Sequence, residues 1–248
     1  MERFLRTQSI LGEKRFHRLQ QAVVTVVGVG AVGGYVVEGL ARSGIGALRL
    51  VDCDRIQLSN MNRQILALET TIHRPKVAVA KERVQAINPR AKVETLELFA
   101  ARETLMAILT PKPDLLIDAI DSLNPKVQLL SAAVSCNLPV ISSMGAALRT
   151  DPALIRSGDI SQTSGCPLAR RVRKRLRREG ITTGVDCVYS TEKLPLMSTD
   201  PAMEEPGVSA GVYAERGRTR SVLGSLPTLS GIFGLMIANM AIRQLAGE

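Results

Sequence analysis

The residues of this chain able to do chemistry together cluster in its first half. Gly28, Gly30 and Gly33 form the run G-V-G-A-V-G, and nineteen residues past Gly33 the chain reaches Asp52 in V-D-C-D. Glycines at this spacing, between a strand and a helix, let a phosphate approach backbone N–H groups at the positive end of the helix. A carboxylate closing the next strand can accept hydrogen bonds from ribose hydroxyls. Both features fit a dinucleotide oxidoreductase as well as a nucleoside triphosphate enzyme. The segment S-N-M-N-R-Q at 59–64 separates the two. A pyrophosphate is held largely by the glycine turn, whereas a triphosphate under attack needs further donors and cations, which Asn60, Arg63 and Lys76 supply. Asp121, last residue of D-A-I-D at 118–121, offers a carboxylate to a magnesium ion whose other ligands the phosphates provide. Each residue also has a plain structural use. Arg63 and Lys76 suit a solvated surface, Asp121 a cap before the helix at Pro125, and Asn60 a turn; Asp118 stands open between site and framework.

These residues need a scaffold that gathers strand ends. Residues 22–27 are a β-branched run stopping at glycine, 31–42 have helical composition, and 48–51 form a second apolar run closing on Asp52: a β-α-β unit. The alternation continues with a helix over 76–87, a strand over 93–98, a strand over 115–117, a helix over 125–136 and a strand over 139–142. It predicts an α/β fold, a Rossmann-like doubly wound, mostly parallel sheet with ligands outside the carboxyl ends of its strands. After Gly145 the rhythm changes. Short strands at 154–155 and 185–189 suggest a mixed C-terminal extension, residues 193–220 read as a long mobile loop, and 226–245 as a core helix. The expected organisation is one domain over 1–248: a nucleotide-binding core at 1–145, a substrate-facing extension at 146–225 and the closing helix.

With 248 residues and 45% hydrophobic content the chain can bury a full core. Aromatics at 3% and no tryptophan argue against wide stacking platforms for single-stranded nucleic acid. The net charge of +9 favours a polyanionic partner or an anionic membrane surface. Seven basic residues fall within the nine positions 170–178. Leu168, Val172 and Leu176 give that segment an apolar stripe, so it reads as an amphipathic helix whose charged face fits phosphate contacts along a nucleic-acid stem, a solvated face being the alternative. Cys53, Cys136, Cys166 and Cys187 contain no C-x-x-C pair, so neither a zinc ribbon nor a disulfide framework is read. Cys187 reads as a buried hydrophobe, and Cys166, before an arginine-rich helix, as the thiol worth an alkylation test. His17 and His73 have no partner pattern. The N-terminus lacks a long apolar core, which predicts a cytoplasmic protein, and the apolar stretch at 226–242 reads as a buried helix without a stable membrane span.

In order and spacing, G-V-G-A-V-G, V-D-C-D, S-N-M-N-R-Q, R-P-K at 74–76 and D-A-I-D resemble the ubiquitin-activating-enzyme-like adenylation fold, the superfamily of sulfur-carrier adenylyltransferases. The resemblance implies ATP as cofactor, with Gly28, Gly30, Gly33, Asp52, Asp54 and Gln64 binding the nucleotide and Asn60, Arg63 and Lys76 its phosphates. It assigns Mg2+ to Asp121. R-F-L-R at 3–6 resembles the superfamily's N-terminal arm, which implies a homodimer in which Arg6 reaches the neighbouring subunit's triphosphate. Carrier-protein enzymes of the group usually carry two zinc-binding C-x-x-C pairs, which this chain lacks. Its second half, with the arginine-rich segment after Pro167 and G-V-D-C-V-Y-S-T-E at 184–192, is instead similar to the tRNA threonylcarbamoyladenosine dehydratase family. That implies ATP-dependent activation of a threonine carboxylate on a modified adenosine beside the anticodon, followed by ring closure. The implied partner is tRNA carrying threonylcarbamoyladenosine, contacted by Arg170, Arg171, Arg173, Lys174 and Arg177. A sulfur-transfer protein is admitted as a further partner. Activation of a ubiquitin-like sulfur carrier remains the alternative.

Overall fold

Val23–Val27 (β1) is buried on both faces, as its β-branched composition requires of a central parallel strand. The computed structural model describes residues 2–194, 204–205, 220–221 and 223–247. β1 lies between Ala47–Val51 (β2) and Leu115–Asp118 (β4), parallel to both; Lys92–Leu96 (β3) flanks β2, and Val140–Ser143 (β5) flanks β4. Asp186–Ser190 (β7) continues the parallel sheet beyond β5, and Ile155–Asp159 (β6) closes it antiparallel to β7, giving the order β3-β2-β1-β4-β5-β7-β6. Strand order reverses between β1 and β4, so their carboxyl ends open the crevice where such sheets bind ligands.

Alternating side chains feed two cores. Val24, Val26, Leu48, Leu50, Leu115 and Ile117 pack on one face beneath Gly33–Ser43 (α3), Lys76–Ile87 (α4) and Pro227–Ala246 (α8). Val27, Val51, Leu116 and Val140 pack on the other, beneath Leu123–Ser135 (α6) and Pro167–Arg178 (α7). α8 is long and apolar enough to cross a membrane by length and composition, but half of its most apolar window is buried inside the protein. It lies so close to α3 that a Cβ on Gly39 would sit 2.7 Å from that of Ala238, and one on Gly234 2.5 Å from the Val32 carbonyl oxygen.

Most expected elements appear within a few residues of their predicted bounds. The differences are local. The arm expected at 3–6 is a 3-10 turn at Glu2–Phe4 leading into Leu5–Leu11 (α1); Glu13–Gln21 (α2), set off from it at Gly12, and Leu105–Leu109 (α5) had no sequence signal. Both α2 and α5 are too short for periodicity to declare them: α2 buries only Phe16 and Leu19, α5 only Ile108. The loop expected at 193–220 falls largely outside the described residues; of it, Glu204–Glu205 (β8) pairs antiparallel with Arg220–Ser221 (β9).

Glu38 of α3 joins the helical layer electrostatically, accepting from Arg42 Nε at 2.6 Å and Arg83 Nε of α4 at 2.6 Å. Burial pushes its carboxyl pKa up, but the hydrogen bonds and charges of Arg83 and Arg42 outweigh that and leave it below the ordinary value. A carboxyl held low stabilises the fold above its unfolded pKa, and that contribution is lost as pH falls through the folded one. Glu38→Gln is therefore expected to cost roughly 1–3 kcal/mol at neutral pH. Urea unfolding followed from pH 7 downward should show variant and wild type converging below the usual glutamate range.

Candidate nucleotide-binding active site

The glycine turn links β1 to α3, and its three glycines have different reasons to lack a side chain. Gly28 sits at φ +88°, and a Cβ there would lie 2.8 Å from the Ala119 carbonyl oxygen. A Cβ on Gly33 would lie 1.8 Å from the Gly28 carbonyl oxygen. Those two are fixed by the packing of the turn against the end of β4. Gly30 is not: the nearest atom to its Cβ position is Gln64 Nε2 at 3.7 Å. The open space above Gly30 suits a ligand pressed onto the backbone, and α3 begins there with no side chain capping its first N–H groups.

Asp52 ties this turn to the end of β2. One carboxylate oxygen accepts from Val29 N–H at 2.7 Å and the other from Asp54 N–H at 2.8 Å. Desolvation lifts the Asp52 pKa above the ordinary carboxylate range, against the opposing pull of Lys76. Asp54 accepts from Lys76 Nζ at 2.8 Å. Lys76 opens α4 and is buried, contrary to a solvated-surface reading. Burial would depress its ammonium pKa, but Asp52, Asp54 and, with smaller weight, Asp121 hold it above the ordinary value. Lys76 is thus a fixed cation among three carboxylates. Cys53, between two of them, has its thiol pushed up to about 12, chiefly by burial, and is no nucleophile.

The 59–64 segment combines two jobs. Asn60 is buried and builds the turn: its Oδ1 accepts from Gln57 N–H at 3.1 Å and its carbonyl from Gln64 N–H at 2.9 Å. Gln64 is buried facing Gly30, and its Oε1 has no hydrogen-bond partner among the described residues. Arg63 donates to the Ser59 carbonyl at 2.9 Å and to Asn62 Oδ1 at 2.8 Å, while Asn62 Nδ2 reaches the Ser225 carbonyl ahead of α8 at 3.2 Å.

At the end of β4, Asp118 is framework. It is wholly buried with Lys126, whose Nζ lies 2.5 Å from its Oδ2; Ser142 Oγ donates to the same oxygen at 2.6 Å, and Ile120 N–H to Oδ1 at 3.0 Å. Nothing in the sequence pattern singles out Lys126, because a lysine three residues into a helix ordinarily faces water. Asp121 follows on the exposed side and accepts from Ser122 Oγ at 3.1 Å. The N-cap of α6 is Ser122, so Asp121 does not fill the capping role.

The remaining candidates lie apart. Phe4, beside Arg6 in sequence, abuts Gly44 at the carboxyl end of α3. That is about 16 Å, the length of an eleven-residue helix, from the glycine turn, so α1 places Arg6 away from this chain's own site. On α7, Ala169, Val172 and Leu176 are buried, and Arg170, Arg171, Lys174 and Arg177 face solvent. Arg173 differs from them: its guanidinium turns inward to the Thr163 carbonyl at 2.8 Å and to Thr163 Oγ1, bracing the connection from β6. Cys166 is 5% exposed, and its Sγ accepts from Ala169 N–H at 3.5 Å as the cap of α7. Cys187 is buried, with its thiol pushed up chiefly by desolvation. His17 and His73 are exposed.

Residues 2–248 match the ThiF family. The chain belongs to that family. It is 36% identical to the tRNA threonylcarbamoyladenosine dehydratase of Bacillus subtilis, over 94% of this chain and 91% of that one. The E. coli tRNA N6-threonylcarbamoyladenosine dehydratase in complex with ATP superposes with a TM-score of 0.83 at 31% identity, covering 98% of this chain and 93% of the other. The sulfur carrier protein adenylyltransferase of Thermus thermophilus is 35% identical over 53% of this chain and 48% of its own length.

The glycines separate packing from binding. Gly33→Ala is expected to destabilise the fold by at least about 2 kcal/mol, because the new methyl meets backbone. Gly30→Ala should leave the thermal midpoint nearly unchanged while weakening ATP at least about tenfold (roughly 1.4 kcal/mol) in a fluorescent-nucleotide titration.

Proposed function

We infer that this chain is an ATP-dependent tRNA threonylcarbamoyladenosine dehydratase. The observation that carries the reading is the extent of the likeness: the dehydratases match both the nucleotide core and the extension that holds α7, whereas the carrier-protein enzyme matches about half of the chain. A carboxylate acylates poorly until its oxygen bears a phosphoryl or adenylyl group. In the proposed reaction the threonine carboxylate oxygen attacks a phosphorus of ATP, expelling pyrophosphate if the α-phosphorus is attacked or ADP if the γ-phosphorus is; the carbamoyl nitrogen, giving up its proton, then attacks the acyl carbon of the mixed anhydride and displaces AMP or phosphate. The oxygen leaves with the phosphate group, so the base loses one water and the ring closes. No covalent protein intermediate is required, in keeping with Cys53 and Cys187 being held as thiols.

The site divides the labour. Gly30 and the first turn of α3 receive the phosphates, Gln64 Oε1 and the Asp52 carboxylate meet the nucleoside, and Lys76 with Arg63 balances phosphate charge. Asp54 holds Lys76 in place. Asp121 supplies a hard oxygen ligand at the rim of the same cluster, which fits Mg2+, a cation bound through one or two carboxylates plus substrate phosphates. Arg6 enters from a second copy, which makes the working form a homodimer; Leu5 at 53% and Ile10 at 82% exposure on α1 suit such an interface. Residues 1–145 form the ATP core, 146–225 the tRNA-facing extension and 226–248 the closing helix. A tRNA substrate and free cysteines favour a cytoplasmic setting.

Incubating the protein with ATP and tRNA bearing threonylcarbamoyladenosine should yield a nucleoside lighter by one water on mass spectrometry, and the released nucleotide, AMP or ADP, identifies the phosphorus attacked. ATP–pyrophosphate exchange that appears only with a small carrier protein ending in glycines would replace this reading with carrier activation.

The exposed face of α7 has its own test. Replacing Arg170, Arg171, Lys174 and Arg177 by glutamine should weaken tRNA binding at least tenfold and lower the slope of log affinity against log salt by about two to four, leaving ATP affinity unchanged. An unaltered tRNA salt slope would take α7 out of the interface.

A further inference from the structure

The buried pair Asp118–Lys126 has no place in the chemistry above, yet both of its charged groups are fully hydrogen-bonded inside the sheet. Lys126 Nζ donates to three acceptors: Asp118 Oδ2 at 2.5 Å, Ser142 Oγ at 3.3 Å and the Ser143 carbonyl at 2.9 Å. Asp118 Oδ2 also accepts from Ser142 Oγ, and Oδ1 accepts from Ile120 N–H at 3.0 Å. Both ionised side chains are 0% exposed. Apolar side chains of similar volume commonly replace such a pair without loss of stability, so stability alone is a weak reason to bury two charges. Geometry is a better one. Asp118 Oδ1 bonds the amide two residues on, forming a turn that throws Ala119 against the glycine loop and leaves Asp121 at the crevice rim. A Cβ on Gly28 would strike the Ala119 carbonyl oxygen at 2.8 Å, and the Ala119 Cβ lies 3.3 Å from the Cβ position of Gly33, so the turn is wedged between the nucleotide loop and the buried ammonium.

We propose that Lys126 and Asp118 are positioning residues that set the Asp118–Asp121 turn, and through it the carboxylate of Asp121, relative to the phosphates of bound ATP. Lys126 orients Asp118, Asp118 holds the Ile120 amide, and that amide fixes the direction in which Asp121 leaves the sheet. The inference rests on the proposed role of Asp121 as the magnesium ligand and on nothing concerning tRNA.

The test uses two double variants and one measurement on the unaltered protein. Asp118→Leu with Lys126→Met removes both charges and the acceptor for Ile120; Asp118→Asn with Lys126→Met removes the charges but keeps an acceptor oxygen. The first is expected to bind ATP in EDTA within about twofold of wild type but to lose at least tenfold of the affinity gained on adding Mg2+; the second, which keeps the acceptor for Ile120 but loses the hold of Lys126 on it, should retain more of that gain than the first and less than wild type. In the wild type, Ile120 N–H should exchange with deuterium at least a hundredfold slower than the amides of an open loop. An undiminished Mg2+ gain in the leucine–methionine variant overturns the proposal. So does loop-like exchange of Ile120 in the wild type, a readout that stands even if that variant does not fold. Neither measurement requires turnover, so a failure of the dehydratase reading would appear separately, as an unaltered tRNA product with the magnesium coupling intact.

Discussion

The site depends on one buried ammonium. Lys76 is held among Asp52, Asp54 and Asp121, and their combined field keeps its pKa above the ordinary value although burial pulls it the other way. Under the proposed reading Arg63 joins it at the phosphates, so two cations face three acidic side chains. A triphosphate adds more negative charge, and in a site of lowered dielectric that imbalance is costly unless further positive charge arrives with the ligand. This is the physical reason that a divalent ion and an arginine from outside belong to the proposed assembly.

The same charge cluster is a mechanical joint. Asp52 joins the end of β2 to the glycine turn through the Val29 amide, the Asp54–Lys76 pair joins the following loop to α4, and Asp118 joins β4 to α6 through Lys126. Each link is a carboxylate at or shortly after a strand end bonded to a backbone amide or a helical lysine. Strand ends in a parallel sheet would otherwise be separate loops, and loops are the least fixed parts of a fold. Tying them pairwise turns three loops into one preorganised surface, which charge stabilisation at phosphorus needs, since a site that must reorganise spends its field on itself.

How much was legible in the sequence follows from the range of the interactions involved. The strands and long helices were readable because each rests on local periodicity, and the glycine turn because its spacing is dictated by backbone geometry. Asp52, Gln64 and Lys76 do converge, as the order of motifs suggested. What sequence reasoning missed is partnership across distance. Lys126 shows nothing in its neighbourhood that marks it as buried; its partner lies eight residues away and its other acceptors sixteen and seventeen. Arg173 shares a basic run with Arg170 and Arg171, and only the path of the β6–α7 connection turns it inward. The sequence pattern does not declare the α1–α2 pair because helices this short gain most of their stability from packing, here Leu19 in the core and Phe16 against Phe4 and the end of α3 at Gly44, rather than from their own periodicity.

Arg6 turns the geometry of one chain into an argument about two. Its helix begins where α3 ends, and the phosphates are expected where α3 begins, so an intrachain approach would have to span the whole helix. A two-fold arrangement removes that difficulty, because an isologous contact that brings α1 of one copy near the crevice of the other necessarily does so twice. It also gives the exposed Leu5 and Ile10 a surface to cover. Under the proposed reading a single two-fold contact would both bring a guanidinium to each crevice and cover the apolar side chains of each α1.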